Sequence, residues 1–335
     1  MEIPKSSKLA ERVFSITNDE EFRQIALDVF HFQYYNNPVY RRFCHIIGRT
    51  PGKAVAPTDI PFLPISCFKT HSVVAFEGTP ELIFKSSGTT GMATSHHKVK
   101  DAAIYRESFL NGFKEFYGNI RDYCVLGLLP SYLERGDSSL IFMVNELIKR
   151  SGHQKSDFYL YNYQELAQVL QELENQGQKT LLIGVTHALI DFASVFPMSL
   201  HHTILMETGG MKGRGKELVR TEVHQILKDA FQLKEIHSEY GMTELLSQAY
   251  SKKDGVFETS GWMKIFMRYE TDPLSCQPPS NKILSGVINV VDLANINSCS
   301  FIATEDMGKL YPDGSFEILG RMDNSDIRGC SLMVS

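Results

Sequence analysis

The spacing of apolar and polar side chains changes near residues 80 and 248 and divides the chain into three regions. In residues 1–80, aromatic and aliphatic side chains recur at helical spacing from Glu20 to Tyr40, and a stretch with several prolines then predicts an irregular segment. In residues 81–247, short apolar runs alternate with amphipathic stretches. In residues 248–335, the apolar runs are short and are separated by Gly, Asn and Asp.

The middle region predicts strands that alternate with helices. The predicted strands are Glu81–Lys85, Tyr123–Leu129, Lys179–Gly184 and His202–Met206. One predicted helix begins after Asp101 and ends at Gly118, and the others span Ser138–Arg150, Tyr163–Gln176 and Gly215–Phe231. This alternation is typical of parallel βαβ units, whose sheet is covered by helices.

The last region predicts short strands at Gly286–Val291, Cys299–Thr304 and Ser315–Leu319. Such strands, with turn-forming residues between them, indicate a small antiparallel sheet or barrel appended to the α/β part. The fold class predicted from the pattern is therefore α/β with a β-rich end.

Composition limits the class of protein. The 335 residues include 34 Lys and Arg against 39 Asp and Glu, for a net charge of −5, and 43% are hydrophobic. This is an ordinary globular composition, and the chain is long enough to bury a core without disulfides or metals. The lack of a long basic run argues against a general nucleic-acid binder. Neither a membrane span nor a signal peptide is predicted, so the expected location is the cytoplasm.

The six cysteines form no metal-binding or disulfide pattern. They are Cys44, Cys67, Cys124, Cys276, Cys299 and Cys330. No two are close enough for a Cys-x-x-Cys pair, and no histidine completes a zinc pattern. In a reducing compartment we expect thiols that are mostly buried and unreactive.

A loop of small hydroxylated residues follows the first predicted strand of the middle region. It consists of Ser86, Ser87, Gly88, Thr89, Thr90 and Gly91. Backbone N–H groups and hydroxyls in such a loop can surround phosphate oxygens. It is not a Walker A loop, because no Gly-Lys-[Ser/Thr] follows. Taken alone, a plain surface loop is an equally good interpretation, since Ser and Gly dominate turns.

Three further polar segments are candidates for ligand binding. Tyr240–Glu244 offers an aromatic ring for a base, the Thr243 hydroxyl for a phosphate oxygen and the Glu244 carboxylate for Mg²⁺. The alternative is a turn into a helix that begins near Thr243. Asp306 lies in a turn where a carboxylate can bond ribose hydroxyls, and Arg321 lies in a charged segment near the end of the chain. Taken separately, both charges are also typical of solvated turns.

Together and in this order, the four segments resemble the adenylate-forming superfamily of acyl-CoA synthetases, luciferases and peptide-synthetase adenylation domains. The likeness extends from about Lys85 to Gly329. Residues 61–69, the turn Glu207–Gly210 and residues 323–333 look like the acyl-protein synthetase branch, the fatty-acid-activating component of bacterial luminescence reductase systems. Phenylacetate–CoA ligases are the next nearest relatives.

The resemblance implies both a fold and a reaction. The fold is one adenylation-type domain over residues 1–335, with mostly parallel sheets and flanking helices. It is divided into a helical and irregular region (1–80), an α/β core that binds nucleotide and acyl group (81–247) and a β-rich subdomain with the tail (248–335). In the reaction, a carboxylic acid attacks the α-phosphate of ATP to give an acyl adenylate and pyrophosphate, and a thiol then captures the acyl group. The first step depends mainly on positioning and charge neutralisation.

The resemblance also implies roles for matching residues. Ser86–Gly91 would hold the β- and γ-phosphates, Thr243 would bond the α-phosphate and Glu244 would coordinate Mg²⁺. The nucleoside would be bound by Gly209, Gly210 and Tyr240 at the adenine and by Asp306 and Arg321 at the ribose. His187 matches the place of a residue beside the substrate carboxylate, although a packed structural histidine is an equally good interpretation.

Two departures from the family pattern bear on the chemistry. The family's phosphate loop continues with Pro-Lys-Gly, whereas here it continues with Met92–His97, so the loop lysine is missing and His96 or Lys98 would be a weak substitute. Most of the superfamily also carries a further domain of roughly 100 residues with a catalytic lysine. This chain ends six residues after Gly329, so we expect that domain to be absent. The large domain would then act alone, a partner would contribute the rest, or activity would be lost.

Cys330 is the candidate acyl acceptor. In this branch the acyl group is captured on a cysteine near the C-terminus, and Arg328 is close enough in sequence to favour the thiolate; an incidental tail cysteine is the alternative. The leading hypothesis is an AMP-forming acid–thiol ligase that passes a fatty or other acyl group to a protein cysteine, with a reductase or carrier protein as a possible accepting partner. An adenylation subunit that loads coenzyme A or a carrier protein, and a catalytically degenerate nucleotide-binding protein, are the alternatives.

Overall fold

The computed structural model describes residues 5–86, 94–129, 136–160, 162–209 and 218–322. The helices in these residues are α1 (Ser6–Val13), α2 (Asp19–Asn36), α3 (Pro38–Ile46), α4 (Cys67–Thr70), α5 (Ala102–Tyr117), α6 (Ser139–Ser151), α7 (Tyr163–Asn175), α8 (Thr186–Val195) and α9 (Arg220–Phe231). Short 3₁₀ helices span Pro51–Lys53, Pro57–Asp59 and Ile120–Asp122. The strands are β1 (Leu63–Pro64), β2 (Leu82–Lys85), β3 (His96–Val99), β4 (Cys124–Leu128), β5 (Asp157–Phe158), β6 (Thr180–Val185), β7 (Thr203–Thr208), β8 (His237–Tyr240), β9 (Ala249–Ser251), β10 (Val256–Thr259), β11 (Met263–Tyr269), β12 (Asp272–Gln277), β13 (Leu284–Asp292), β14 (Phe301–Leu310) and β15 (Phe316–Arg321).

Short polar side chains and glycines set the ends of the helices in the middle region. The Asp101 side chain accepts a hydrogen bond from the first turn of α5, and Gly118, at φ +83°, ends that helix. Ser138 caps α6 in the same way, and Gly152 follows it in the left-handed conformation. These side chains satisfy N–H groups that a helix leaves without an internal partner. The predicted ends of both helices are confirmed to within a residue.

One sheet joins thirteen of the described strands. Its order is β12-β11-β13-β14-β15-β10-β9-β8-β7-β6-β4-β5, with β1 paired to β14. The strands from β5 to β8 in this order are parallel, and from β8 to β12 each neighbour is antiparallel. The chain reverses after β8 because residues 241–248 are too few for the crossover that a parallel neighbour requires. The α/β class is confirmed, and the C-terminal strands continue the parallel sheet instead of forming a separate sheet or barrel.

The N-terminal helices belong to the same core as the β-rich region. The rings of Phe30 and Tyr40 each lie 6.2 Å, between centroids, from the ring of Phe301 on β14. The buried Gln33 amide on α2 donates hydrogen bonds to the carbonyls of Asn295 (3.0 Å) and Ile296 (2.9 Å). A buried amide with its donors satisfied anchors α2 to this part of the fold.

Two predicted helical features differ from the structure. The helix predicted from Gly215 is observed from Arg220; residues 210–217 lie outside the described residues. No helix begins near Thr243, because the chain turns and enters β9 instead. Within the described part of the chain, no helix is long and apolar enough to cross a bilayer.

Candidate active site

Two hydrogen bonds close the base of the loop predicted to bind phosphate. The Ser95 N–H donates to Ser86 Oγ (2.9 Å), and the Ser86 N–H donates to the Ser95 carbonyl (3.1 Å). These bonds extend the two-stranded β2–β3 hairpin, in which Lys85 pairs with His96. Ser87–Gly91 lie outside the described residues. The described residues on either side of the predicted phosphate loop are therefore hydrogen-bonded to each other at the end of the β2–β3 hairpin.

The Glu244 carboxyl lies against the base of this hairpin. Its residue is 5% exposed, and burial raises the pKa of the carboxyl, while a hydrogen bond from Ser95 and the positive charges of Arg321 and Lys69 act to lower it. A cation at the carboxylate would offset the cost of burying its charge. The observed environment therefore fits the predicted role of Glu244 in holding Mg²⁺.

A magnesium ion at Glu244 would need ligands from other sources. Among the described residues, no group of three or more His, Cys, Asp or Glu side chains forms a metal cage. Mg²⁺ commonly keeps several waters and binds through one or two carboxylates together with substrate phosphates. The residues present suit a metal that arrives with ATP.

Two buried side chains hold the backbone of the Thr243–Glu244 turn. The His97 Nδ1–H donates to the Thr243 carbonyl (2.8 Å), and the Asn295 amide donates to the Glu244 carbonyl (2.8 Å). Burial lowers the pKa of His97 to about 4, although its hydrogen-bond partners act in the opposite direction. Neither residue was predicted from the sequence.

A buried carboxylate holds the segment that follows this turn. Asp292 accepts hydrogen bonds from the backbone N–H groups of Leu246 (2.7 Å) and Ser247 (3.0 Å) and from the Ser247 hydroxyl (2.6 Å). Burial raises the pKa of Asp292, and these hydrogen bonds act to lower it. Such bonds replace the water that an ionised carboxylate loses on burial.

Three of the predicted nucleoside-binding residues are in direct contact. The Tyr240 hydroxyl donates to Asp306 Oδ2 (2.8 Å), and Arg321 Nε donates to Asp306 Oδ1 (3.1 Å). Asp306 and Arg321 are opposite each other on β14 and β15. Burial and the Asp306 carboxylate raise the pKa of the Tyr240 hydroxyl well above its usual range, so it stays a donor.

The ends of β7 and β8 lie side by side in the sheet. Thr208 pairs with Glu239, so Gly209 and Tyr240 occupy the next positions of the two strands. Gly209 has φ +70°, which favours glycine. Its carbonyl lies 2.8 Å from the hydroxyl of Thr186 on α8. His187 follows Thr186 near the start of that helix.

Glu239 directly precedes Tyr240 in the sequence, and its carboxyl is buried. Burial raises the pKa of this group to about 7, with the neighbouring charge of Glu207 adding to the increase. The Thr208 hydroxyl donates to the carboxyl and acts against that shift. No salt bridge to Glu239 is found among the described residues.

The structure brings segments from distant parts of the sequence together. Ser86 is linked through Ser95 to Glu244, and the charge of Arg321 acts on both Glu244 and Tyr240. The spacing of residues along the sequence does not predict the residues that support Glu244 and the segment around it, which are Lys69, His97, Asp292 and Asn295. The only signal for two of them is a stretch rich in Asp, Asn and Ser at the end of an apolar strand and after it, at 292–300. Gly210 and Cys330 lie outside the described residues.

Residues 9–335 match the sequence family described as acyl-protein synthetase, LuxE. The chain belongs to this family. The match covers nearly the whole chain, and it confirms the predicted acyl-protein synthetase type: an AMP-forming ligase that activates an acyl group with ATP and transfers it to protein. The LuxE match does not favour the alternative of a subunit that loads coenzyme A.

A curated LuxE-type relative comes from Vibrio harveyi. It is the long-chain-fatty-acid–luciferin-component ligase, 22% identical over 329 residues, and the alignment covers 91% of this chain and 85% of the relative. The similarity therefore extends along almost the full length of both proteins.

Solved structures confirm the adenylate-forming fold. ATP-bound MatB from Rhodopseudomonas palustris has a TM-score of 0.52 and 16% identity, with 73% of this chain and 49% of MatB covered. A double mutant of the o-succinylbenzoate CoA synthetase MenE from Bacillus subtilis has a TM-score of 0.50 and 16% identity, with the same coverage. This LuxE family member thus corresponds to about half the length of those enzymes.

Proposed function

We propose that this protein activates a fatty acid as its adenylate, with ATP and Mg²⁺ bound by the residues described above, and passes the acyl group to a protein cysteine. The convergence of Ser86, Tyr240, Glu244, Asp306 and Arg321 carries the proposal, because these residues come from four separate segments of the sequence. The family membership supplies the type of reaction.

The nucleoside would bind beside Tyr240 and Asp306. Each carboxylate oxygen of Asp306 already accepts one hydrogen bond and has a further lone pair, so ribose hydroxyls can donate to it without displacing Tyr240 or Arg321. The Tyr240 ring, packed against Phe257 and Phe316, is held in a fixed orientation from which it can contact the base.

The phosphates would lie between the hairpin loop and the Thr243–Glu244 turn. Bound Mg²⁺ would neutralise phosphate charge as the pyrophosphate leaves. Thr243 would donate its hydroxyl to the α-phosphate, while a carboxylate oxygen of the acid attacks phosphorus and the bond to pyrophosphate breaks. His187 is proposed to contact the carboxylate of the acid. The protein's share in this step is orientation and charge stabilisation.

The acyl group would then move to a thiol. The thiol sulfur attacks the acyl carbon, the bond to AMP breaks, and the thiol proton passes to solvent. Burial raises the pKa of all five described cysteines, which makes them poor thiolates. We therefore propose Cys330 as the acceptor within this chain and a reductase-type partner as the next acceptor. A cytoplasmic setting stays a prediction.

The exchange of labelled pyrophosphate into ATP tests the activation step. We expect exchange that depends on added carboxylate across a series of fatty acids that includes hexadecanoate, and that requires Mg²⁺. A wild-type protein that binds ATP but shows no exchange with any acid in the series would contradict the proposal and favour a degenerate nucleotide-binding protein.

Labelled acyl group tests the acceptor separately. After incubation with ATP and labelled hexadecanoate, we expect label on the denatured protein that hydroxylamine removes. Cys330→Ser should abolish this label and leave pyrophosphate exchange intact, whereas Cys67→Ser, at a half-buried thiol, should keep it. Label that persists in Cys330→Ser would place the acyl group elsewhere.

A further inference from the structure

The connection between β13 and β14 is a buried polar segment, residues 292–300, which we call the polar turn. Asp292, Asn295 and Ser300 are completely buried, and Ser298 is 1% exposed. Buried polar groups persist when they are hydrogen-bonded, so a segment of this kind binds several neighbours at once. Here the neighbours include α2, strand β3 and the Thr243–Glu244 turn.

Asn295 is the centre of the polar turn. Its amide nitrogen donates to the Glu244 carbonyl (2.8 Å) and to the Cys299 carbonyl (3.0 Å). Its amide oxygen lies 3.0 Å from His97 Nε2. These two bonds fix the orientation of the amide, because turning it over would place its oxygen against two carbonyls.

His97 continues this chain of contacts to the hairpin. It lies on β3, the strand that follows the predicted phosphate loop, and is 1% exposed. Its Nδ1–H donates to the Thr243 carbonyl (2.8 Å), and its ring meets the ring of Phe68 edge-on at 5.8 Å between centroids. The Nδ1–H hydrogen bond and the edge-on contact with Phe68 therefore hold the imidazole in place.

The carbonyls of two successive residues are thus held by two different side chains. A peptide unit is planar, so the direction of the Thr243 carbonyl sets one plane and that of the Glu244 carbonyl sets the next. The two planes meet at the Cα atom of Glu244 and together determine its φ and ψ. They therefore also determine the direction in which the Glu244 side chain leaves the backbone.

We propose that His97 and Asn295 are positioning residues that orient Glu244 and Thr243 toward the metal-bound triphosphate and hold them in a fixed position relative to the β2–β3 hairpin. The inference rests on the proposed function of Glu244 and Thr243. It assigns no contact with substrate to His97 or Asn295; they act through the backbone. Residues behind a metal ligand commonly change metal affinity or activity by roughly 10–100-fold when they are replaced.

The test compares Asn295→Ala and His97→Gln with the wild type. We expect the Mg²⁺ concentration needed for half-maximal pyrophosphate exchange with hexadecanoate to rise by roughly 10–100-fold in Asn295→Ala, with the KM for hexadecanoate within twofold. His97→Gln keeps one N–H donor for the Thr243 carbonyl and should show a smaller rise. If Asn295→Ala does not fold, His97→Gln alone provides the test. A folded His97→Gln protein that needs no more Mg²⁺ than the wild type would then overturn the proposal.

Asn37→Ala is the matched control. Asn37 is also completely buried, and its amide donates to the Ser298 carbonyl on the other side of the same polar turn (3.0 Å). We expect Asn37→Ala to lower the melting temperature and leave the Mg²⁺ requirement unchanged. An equal rise in Asn37→Ala would show general loosening of the turn and overturn the assignment.

Calorimetry of Mg²⁺–ATP binding separates the two levels of the hypothesis. Absence of exchange in the wild type contradicts the proposed function. Normal exchange in the wild type, with unchanged Mg²⁺–ATP affinity and Mg²⁺ requirement in folded Asn295→Ala and His97→Gln, contradicts only the positioning role.

Discussion

Two parts of the candidate site are held by different kinds of interaction. The Thr243–Glu244 turn is fixed by buried His97 and Asn295, which bond its backbone. The Asp306 carboxylate is instead held by Tyr240 and by Arg321, whose side chain is 54% exposed. The buried bonds favour a preformed turn at the proposed phosphate and metal site, whereas the half-exposed Arg321 side chain is free to adjust at the proposed ribose site.

The largest expected effect tests the preformed turn. Glu244→Gln removes the charge that would hold Mg²⁺ and keeps the shape of the side chain, so pyrophosphate exchange should fall by roughly 10²–10³-fold with the fold retained. The exchange rate and the melting temperature are the two measurements. Glu258→Gln, at an exposed position of β10, is the control and should keep the wild-type rate. Exchange within threefold of wild type in Glu244→Gln would remove Glu244 from the chemistry.

The next prediction tests whether burial of the Glu239 carboxyl, close to the turn, disfavours its ionised form. The Glu239 carboxyl has its pKa raised from 4.5 to about 7. Between these values the unfolded chain releases its proton while the folded protein retains it, so wild-type stability falls as the pH rises from 4.5 to 7. Glu239→Gln should remove this fall. Its free energy of unfolding, relative to that of the wild type, should therefore increase by about 3 kcal/mol from pH 4 to pH 8.

Urea unfolding at pH 4, 6 and 8 measures this gain in the free energy of unfolding. Glu270→Gln, at an exposed turn, is the control and should show no such pH dependence. A stability difference for Glu239→Gln that is constant over this range would mean that folding does not change the pKa of the Glu239 carboxyl, contrary to the increase caused by its burial.

A smaller effect is expected at the Asp306–Arg321 pair. Asp306→Asn weakens acceptors for Tyr240, Arg321 and ribose, and hydrogen bonds to a charged group contribute about 1.5–3 kcal/mol. The KM for ATP in the exchange reaction should therefore rise by roughly tenfold or more, with a lesser change in kcat. Asp313→Asn, at an exposed turn, should leave both constants unchanged. A loss confined to kcat would assign Asp306 to the phosphate chemistry instead.

The smallest effect concerns stability. Arg321→Gln removes an ion pair whose cation is half-exposed, so the free energy of unfolding should fall by at most about 1 kcal/mol, and 0.5 M NaCl should reduce the difference. Thermal or urea unfolding at two salt concentrations measures both. A salt-independent loss of several kcal/mol would show that Arg321 is held as rigidly as the turn, and the contrast between the two parts would fail.

Local sequence predicted the elements better than their assembly. Asp101, Gly118, Ser138 and Gly152 mark helix ends because caps act over a few residues. The β-rich region was predicted as a small antiparallel sheet or barrel appended to the α/β part. Its strands are antiparallel, but β9 pairs with β8, so they continue the parallel sheet. Strand pairing depends on partners far along the chain, which local periodicity does not specify.

The same limit applies to the site. The residues of the four motifs were identified from a resemblance and from their chemical types, and the structure places the described members near one another. His97 and Asn295 were missed, because they are separated by 198 residues from each other and act through buried hydrogen bonds. A lone histidine and a lone asparagine carry no local pattern that distinguishes them from ordinary polar residues.

The sequence by itself determined the family, the α/β class, most helix and strand positions and the candidate ligand-binding side chains. Only the tertiary structure decided that the sheet is continuous, that Asp306 bonds both Tyr240 and Arg321, and that His97 bonds Thr243 while the polar turn bonds Glu244. The physical reason is range: propensity and capping act between near neighbours, whereas burial and hydrogen bonding join residues that only folding brings together.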